Sequence, residues 1–417
     1  MSASPGENLR IDGARLWDSL MEMAKIGPGV AGGNNRQAVT DADGQGRALF
    51  ARWCADAGAS MGVDEMGNMF ATRPGTDPKA LPVYVGSHLD TQPTGGRFDG
   101  VLGVLAGLEI LRRLNDLDIR TRHPIVVVNW TNEEGTRFSP ALFSSGVFVG
   151  TYDRDWAYGR MDGDGKRFGD ELARIGWKGD EPVGARKMHA FFELHIEQGP
   201  ILEAEGHDIG IVTHAQGLFW LDVTLSGLAA HTGTTPMNMR RDAGLGMARV
   251  IEAVHQIASD LQPGVVGTVG EARLYPNSRN VIPQEARFSI DLRAADAAKL
   301  TLLHQEVRAG IRRIAARLWL NAKIANIGEY PPVVFDTGCV DTMRRAAQNL
   351  GFSHRDIVSG AGHDACFLTR VAPTAMVFCP CKDGLSHNEA EAITPDWAAR
   401  GTDVLFHAVL ETAQVAP

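Results

Sequence analysis

Apolar residues recur at helical spacing over residues 9–26, 43–57 and 101–114, which predicts three helices early in the chain. Between them the texture changes. Residues 61–71 read as a short hairpin turning on Met66-Gly-Asn68, and Leu81-Pro-Val-Tyr-Val85 as a strand that runs on to Ser87. The β-branched run in residues 124–130 is of the kind found in fully buried parallel strands. Residues 190–199 alternate between two faces, which sets Glu193, His195 and Glu197 on one of them. A last apolar run covers residues 374–378. The middle of the chain reads differently, as strand 218–225, helix 242–261, strands 264–275 and 285–292, helix 297–318 and strand 322–327. That βαββαβ order suits a small four-stranded α+β domain with two helices covering one sheet face.

At 417 residues, with 44% hydrophobic and 22% charged, the chain has the material for two globular domains. A net charge of -9 argues against nucleic acid as a partner, since a phosphate-binding surface needs a basic excess. No apolar run approaches the ~20 residues of a membrane helix. The opening Met1-Ser-Ala-Ser-Pro-Gly6 lacks a charged-then-apolar signal, so a cytoplasmic location without membrane partners is expected. The five cysteines are scattered and fit reduced thiols. Cys379-Pro-Cys381 is too closely spaced for a structural zinc site, and no second pair completes one.

Chemistry concentrates where the apolar strands end. His88, Asp90 and Asp99 follow the first buried run, and loops at such strand ends are where open α/β sheets carry their functional groups. The second run leads into Glu133-Glu134, an adjacent pair of carboxylates that is costly without a cation nearby. The economical reading gives one Glu to a metal and makes the other a general base. His195 and His387 supply further ligand candidates after the third and fourth runs. Two histidines, two acidic donors and one bridging carboxylate would hold two divalent ions roughly 3.5 Å apart. Mixed imidazole and carboxylate ligation suits Zn2+ and also Mn2+ or Co2+. Asp90, two residues beyond His88, is placed to accept its other ring N–H and orient it.

Ser87-His-Leu-Asp90, Gly95-Gly-Arg-Phe-Asp-Gly100, Asn132-Glu-Glu-Gly135, His195-Ile-Glu-Gln-Gly-Pro200 and Ser386-His-Asn388 together resemble the zinc amidohydrolases of the hydantoinase/carbamoylase group. This group sits within the wider superfamily of aminoacylases and dinuclear zinc carboxypeptidases. The resemblance implies an α/β fold, a mixed and mostly parallel sheet flanked by helices. Residues 1–214 and 330–417 would form the di-metal catalytic domain, with residues 215–329 as an inserted lid and dimerisation domain. It implies that His88, Asp99 and His195 bind one metal or share it through Asp99. Glu134 and His387 would serve the other, with two ions per subunit and Zn2+ as the first choice. Glu133 would take a proton from water whose pKa the ions lower, then hand it to the leaving nitrogen.

By the same resemblance Gln198, His231, Asn280 and Arg293 are substrate contacts, His231 stabilising the oxyanion and Arg293 holding a carboxylate in its planar fork. Gly360-Ala-Gly-His-Asp364 resembles the substrate loop, with Gly362 and His363 against the ligand. The implied reaction is hydrolysis of the ureido C–N bond of an N-carbamoyl L-amino acid to amino acid, ammonia and carbon dioxide. β-Ureidopropionase and allantoate amidohydrolase share the same motifs. Aminoacylase or dipeptidase action, or a metal-holding binding protein without activity, stands further off. The small ureido acid and a second copy of the chain are the expected partners, and the resemblance leaves open whether His231 or Asn280 serves its own active site or the partner's.

Overall fold

The computed structural model describes residues 8–416. The opening Met1–Gly6 stretch read above for an export signal therefore lies outside the described residues. Two compact units are found, one made of the residues up to Thr213 together with those from Phe335, the other of His214–Val334.

In the first unit the strands are β1 (Ser60–Val63), β2 (Met69–Arg73), β3 (Val83–His88), β4 (Ile125–Trp130), β5 (Ala190–Ile196) and β6 (Ile209–Ala215). β3, β4 and β5 are buried along their whole length, as their near-continuous apolar sequence requires. β1 and β2 form the antiparallel hairpin at residues 61–71, closed by the Asp64 carboxylate, which accepts from the Met66 and Asn68 amides. Helices Gly13–Met23, Asp41–Asp56, Val101–Asp116, Thr337–Asn349 and Pro395–Ala413 are the long helices of this unit. Side-chain caps set several starts: Asp12, Thr40, Asp336 and Thr394 each accept from a first-turn amide.

The second unit holds β7 (Gly217–Ser226), β8 (Val265–Tyr275), β9 (Glu285–Ala294) and β10 (Asn321–Tyr330), in the order β10-β7-β9-β8 and antiparallel throughout. β7 and β9 alternate strictly between buried and open positions. Their buried side, with Leu221, Val223, Phe288 and Ile290, packs on helices Ala243–Asp260 and Ala297–Arg317 through Val250, Val254, Leu303 and Val307. This is the βαββαβ order that the alternating and helical periodicities predict.

The chain then adds β11 (Val333–Val334), paired with Ala215 and His214, followed by β12 (His354–Ser359) and β13 (Thr374–Cys379). The large sheet runs β1-β2-β4-β3-β5-β13-β6, with β12 alongside β6. Its four central strands, β4-β3-β5-β13, are parallel, and antiparallel pairs border them on both sides. Four parallel central strands bring four carboxyl ends to one edge of the sheet, and each of those strands leads into a segment singled out for chemistry. Among the described residues no helix is long and apolar enough to cross a membrane.

Candidate metal centre

β3 ends on His88, in register with Trp130 at the end of β4. His88 Nδ1 lies 2.9 Å from the backbone carbonyl of Asp90, which can only accept, so that nitrogen carries the proton. Nε2 is left with its lone pair. It makes no hydrogen bond and sits 3.6 Å from Asp99 Oδ1 and 3.5 Å from Glu133 Oε2. His195, near the end of β5, is held in the same way through Nδ1, 2.9 Å from the Ile196 carbonyl, but its Nε2 accepts from the Gly100 amide at 3.2 Å while facing Asp99 Oδ1 at 3.1 Å. The unpartnered His88 nitrogen, facing two carboxylate oxygens at these distances, calls for a positive charge between them.

Asp99 is the meeting point. His88, Asp99 and His195 form one group of candidate ligand atoms and Asp99, Glu134 and His387 another, each with its atoms within 4.8 Å of one another. His387 Nε2 stands 3.5 Å from both Asp99 Oδ2 and Glu134 Oε2. Asp99 Oδ2 also accepts from Ser386 Oγ and Gln198 Nε2, and Glu134 accepts from Gln92 Nε2 at 2.5 Å. A third group, Glu193, His195 and His363, adjoins them, and the mixed imidazole and carboxylate donors fit divalent cations of borderline hardness. Gly100 closes the cradle with φ +69, and a Cβ there would lie 2.3 Å from the His88 ring.

The titration of these groups follows from burial and mutual contact. Burial opposes charge on His88, yet Glu133, then Asp99 and Asp90, hold it well above the ordinary imidazole range, so a proton and a metal ion compete for the same Nε2. Burial would likewise raise Asp99, but His195 and His88 overturn this and hold it well below the carboxylate range. Glu133 and Glu134 are pushed well up, in both cases by burial first. Asp364 and Glu134 add to the effect at Glu133, and Asp99 at Glu134.

Asp90 does accept the His88 ring proton, but through its backbone carbonyl, while its carboxylate stays 3.9 Å away. That carboxylate instead accepts from the backbone amides of Glu133 and Glu134, fixing the turn that presents both. Glu197 does not share the His195 face, because β5 has ended at Ile196; its side chain accepts from the Ile201 and Leu202 amides. Glu193 stays on the strand and is occupied by Ser87 Oγ and the Ala365 amide. Gln198 adopts φ +56 and points into the ligand cluster, within reach of Asp99, Ser386 and His387.

His363 is buried, with Nε2 2.9 Å from Ser359 Oγ and its ring 4.6 Å from that of His195, whereas Gly362 is exposed. In the second unit His231 and Asn280 share a loop pair: Thr232 N donates to Asn280 O, and Ile282 N to Ala230 O. Both side chains are exposed. Arg293 on β9 pairs with Asp291, whose carboxylate also accepts from Trp220 Nε1.

The sequence reading passed over Gln92, Ser386 and Glu391. Glu391 is buried and its Oε1 accepts from the Phe98 and Asp99 amides. A carboxylate four residues beyond a ligand histidine in a polar stretch carries no periodicity, so only its place inside Ser386-His-Asn-Glu-Ala-Glu391 could have drawn attention to it.

Comparison with known proteins places this geometry in context. Residues 84–411 match the family described as peptidase family M20/M25/M40. The chain is 63% identical over 413 residues, 99% of both chains, to an N-carbamoyl-L-amino-acid amidohydrolase of Rhizobium meliloti. It is 36% identical over 408 residues to an N-carbamoyl-L-amino acid amidohydrolase of Geobacillus stearothermophilus, covering 97% of this chain and 99% of the other. A solved hydantoinase/carbamoylase family amidase from Burkholderia multivorans superposes with a TM-score of 0.94 at 54% identity, over 97% of this chain and 98% of that one.

Proposed function

The chain belongs to the peptidase M20/M25/M40 family, among its hydantoinase/carbamoylase amidases, and from that premise we propose that it hydrolyses the ureido C–N bond of N-carbamoyl L-amino acids with two divalent ions. The observation that carries the metal reading is Asp99, whose carboxylate belongs to two of the three groups of candidate ligands. The substrate reading leans on the 63% identity to the Rhizobium meliloti amidohydrolase.

His88, Asp99 and His195 would hold one ion and Asp99, Glu134 and His387 the other, with Zn2+ the first candidate and Mn2+ or Co2+ acceptable to the same donors. When bound, the ions supply Lewis acidity at the ureido carbonyl. Glu133 takes the proton of the attacking water at its carboxylate and delivers it to the amino-acid nitrogen as its bond to the ureido carbon breaks, leaving carbamate, which falls apart to ammonia and carbon dioxide. The Asp90 carboxylate keeps the Glu133-Glu134 turn in place through its two amide contacts. By the family resemblance Gln198, Gly362 and His363 contact substrate, His231 meets the oxyanion, Asn280 assists, and Arg293 takes the substrate carboxylate. A homodimer formed through the second unit completes the reading, supported by the exposed Leu245 and Ile251 on helix Ala243–Asp260 and Tyr275 on β8.

The test is ammonia release by metal-stripped protein reloaded with Zn2+, Mn2+ or Co2+. The substrates are N-carbamoyl L-amino acids, N-carbamoyl-β-alanine, allantoate and an N-acetyl amino acid. Metal-dependent turnover led by an N-carbamoyl L-amino acid is expected, and a lead by another substrate would replace the assignment.

A further inference from the structure

We propose that Glu391 is a positioning residue that fixes Asp99, and thereby sets how tightly both ions are held. The inference rests on the reading of Asp99 as the shared ligand. Glu391 is 1% exposed, and its Oε1 accepts from two consecutive amides, Phe98 N at 2.9 Å and Asp99 N at 3.1 Å. One acceptor holding both amides fixes the orientation of the peptide from which the Asp99 side chain springs.

The loop is shaped around this contact. A Cβ on Gly96 would fall 2.0 Å from the Glu391 carboxyl group, so residue 96 must be glycine while that group stays in place. Glu391 is in turn held by its own chain: its amide donates to the Asn388 carbonyl at 3.0 Å, and Asn388 Oδ1 accepts from Ala390 N. The turn begins directly after His387. Residues 387–391 thus tie the backbone of one candidate ligand to that of another. Because Asp99 Oδ1 faces His195 Nε2 at 3.1 Å and Oδ2 faces His387 Nε2 at 3.5 Å, a tilt of Asp99 disturbs both groups at once.

The amides require an acceptor at one point. Glutamine supplies a carbonyl oxygen there, whereas aspartate falls about 1.5 Å short, one C–C bond. The experiment titrates metal-stripped full-length protein with Co2+ and follows its visible absorption, with circular dichroism of each metal-free form. It compares wild type with Glu391→Gln, Glu391→Asp, Glu391→Met and Gly96→Ala. Wild type and Glu391→Gln should take up two equivalents with the same spectrum. Glu391→Asp and Glu391→Met should bind on the order of 10–100-fold more weakly, with altered bands, as loss of groups behind metal ligands does elsewhere. Gly96→Ala, which keeps every donor but displaces the Glu391 carboxyl group, should follow them, and it decides the matter if the shorter side chains fail to fold. Wild-type affinity and spectrum in the folded Asp, Met and Ala variants would overturn the proposal. So would a Glu391→Gln variant as impaired as Glu391→Met, since charge rather than acceptor position would then govern. A wild-type protein that takes up no Co2+ would instead overturn the ligand reading itself, and this inference with it.

Discussion

Substituting Gly100 by alanine tests whether the cradle around His88 is as tight as its geometry indicates. The new Cβ would lie 2.3 Å from both Cε1 and Nε2 of His88 and 2.4 Å from Nδ1, more than an ångström inside the ~3.5 Å of ordinary contact. His88 is 1% exposed and tethered to the Asp90 carbonyl, so it has little room to yield. Two costs arise. The backbone cost of an L residue at φ +69 and ψ -47, outside the left-handed helical region, is about 1–3 kcal/mol. Overpacking against the ring adds about 1–3 kcal/mol. Gly351 serves as the control for the clash, because it has φ +72 but nothing within 4 Å of an added Cβ, so Gly351→Ala bears a positive-φ cost without overpacking.

Urea midpoints of the metal-free proteins should fall for both variants and further for Gly100→Ala. Only Gly100→Ala should also lose metal affinity and turnover, on the order of a hundredfold for a displacement near 1 Å. Equal behaviour of the two variants in metal titration would refute the contact argument.

Replacing Glu133 by glutamine should lower kcat by a factor on the order of 10²–10⁴ while two metal equivalents are retained, read by ammonia release alongside elemental analysis. Arg293→Lys keeps the charge but loses the planar fork; kcat/KM for ureido acids should drop about 10–100-fold with metal content unchanged. Glu171, which belongs to none of the candidate ligand groups, is drawn down to about 2 by its hydrogen bonds to Arg174 first, against burial, with Arg137 adding to the effect. The native state therefore binds fewer protons there than the unfolded chain, so the stabilisation is complete above the ordinary carboxylate value of 4.5 and fades as pH falls toward 2. Glu171→Gln should be less stable than wild type at pH 6, with the gap in urea midpoint narrowing toward pH 3; a constant gap would contradict the assignment.

The elements most legible in the sequence were those in which one periodicity ran unbroken. The β-branched residues 125–128 and the alternating 218–225 left little choice of structure, and the order of strands and helices in residues 215–329 followed from pattern alone. Ligand candidates at strand ends were legible for a related reason, since a histidine or carboxylate directly after an apolar run contrasts with its surroundings. What stayed hidden were relations carried by the backbone. Nothing in the letters distinguishes the Asp90 carbonyl from its carboxylate as the partner of His88. Nor could Glu197 be separated from Glu193 and His195 without knowing that β5 stops at Ile196. Glu391 was invisible because its partners are amide hydrogens, which every non-proline residue offers.

The distribution of the two ligand groups along the chain also sets an order of assembly during synthesis. His88, Asp99 and His195 have all emerged by the middle of translation, whereas His387 arrives near its end. At roughly 5–20 residues per second the interval is on the order of 10–40 s. During that time a nascent chain possesses all three donors of one group and two of the three of the other. β13, which carries the chain toward His387, inserts beside β5 and so completes the sheet in the same event that delivers the last ligand. On the dinuclear reading, a second ion would find its full donor set only after the chain has been made past His387, so full occupancy would report that the sheet has closed.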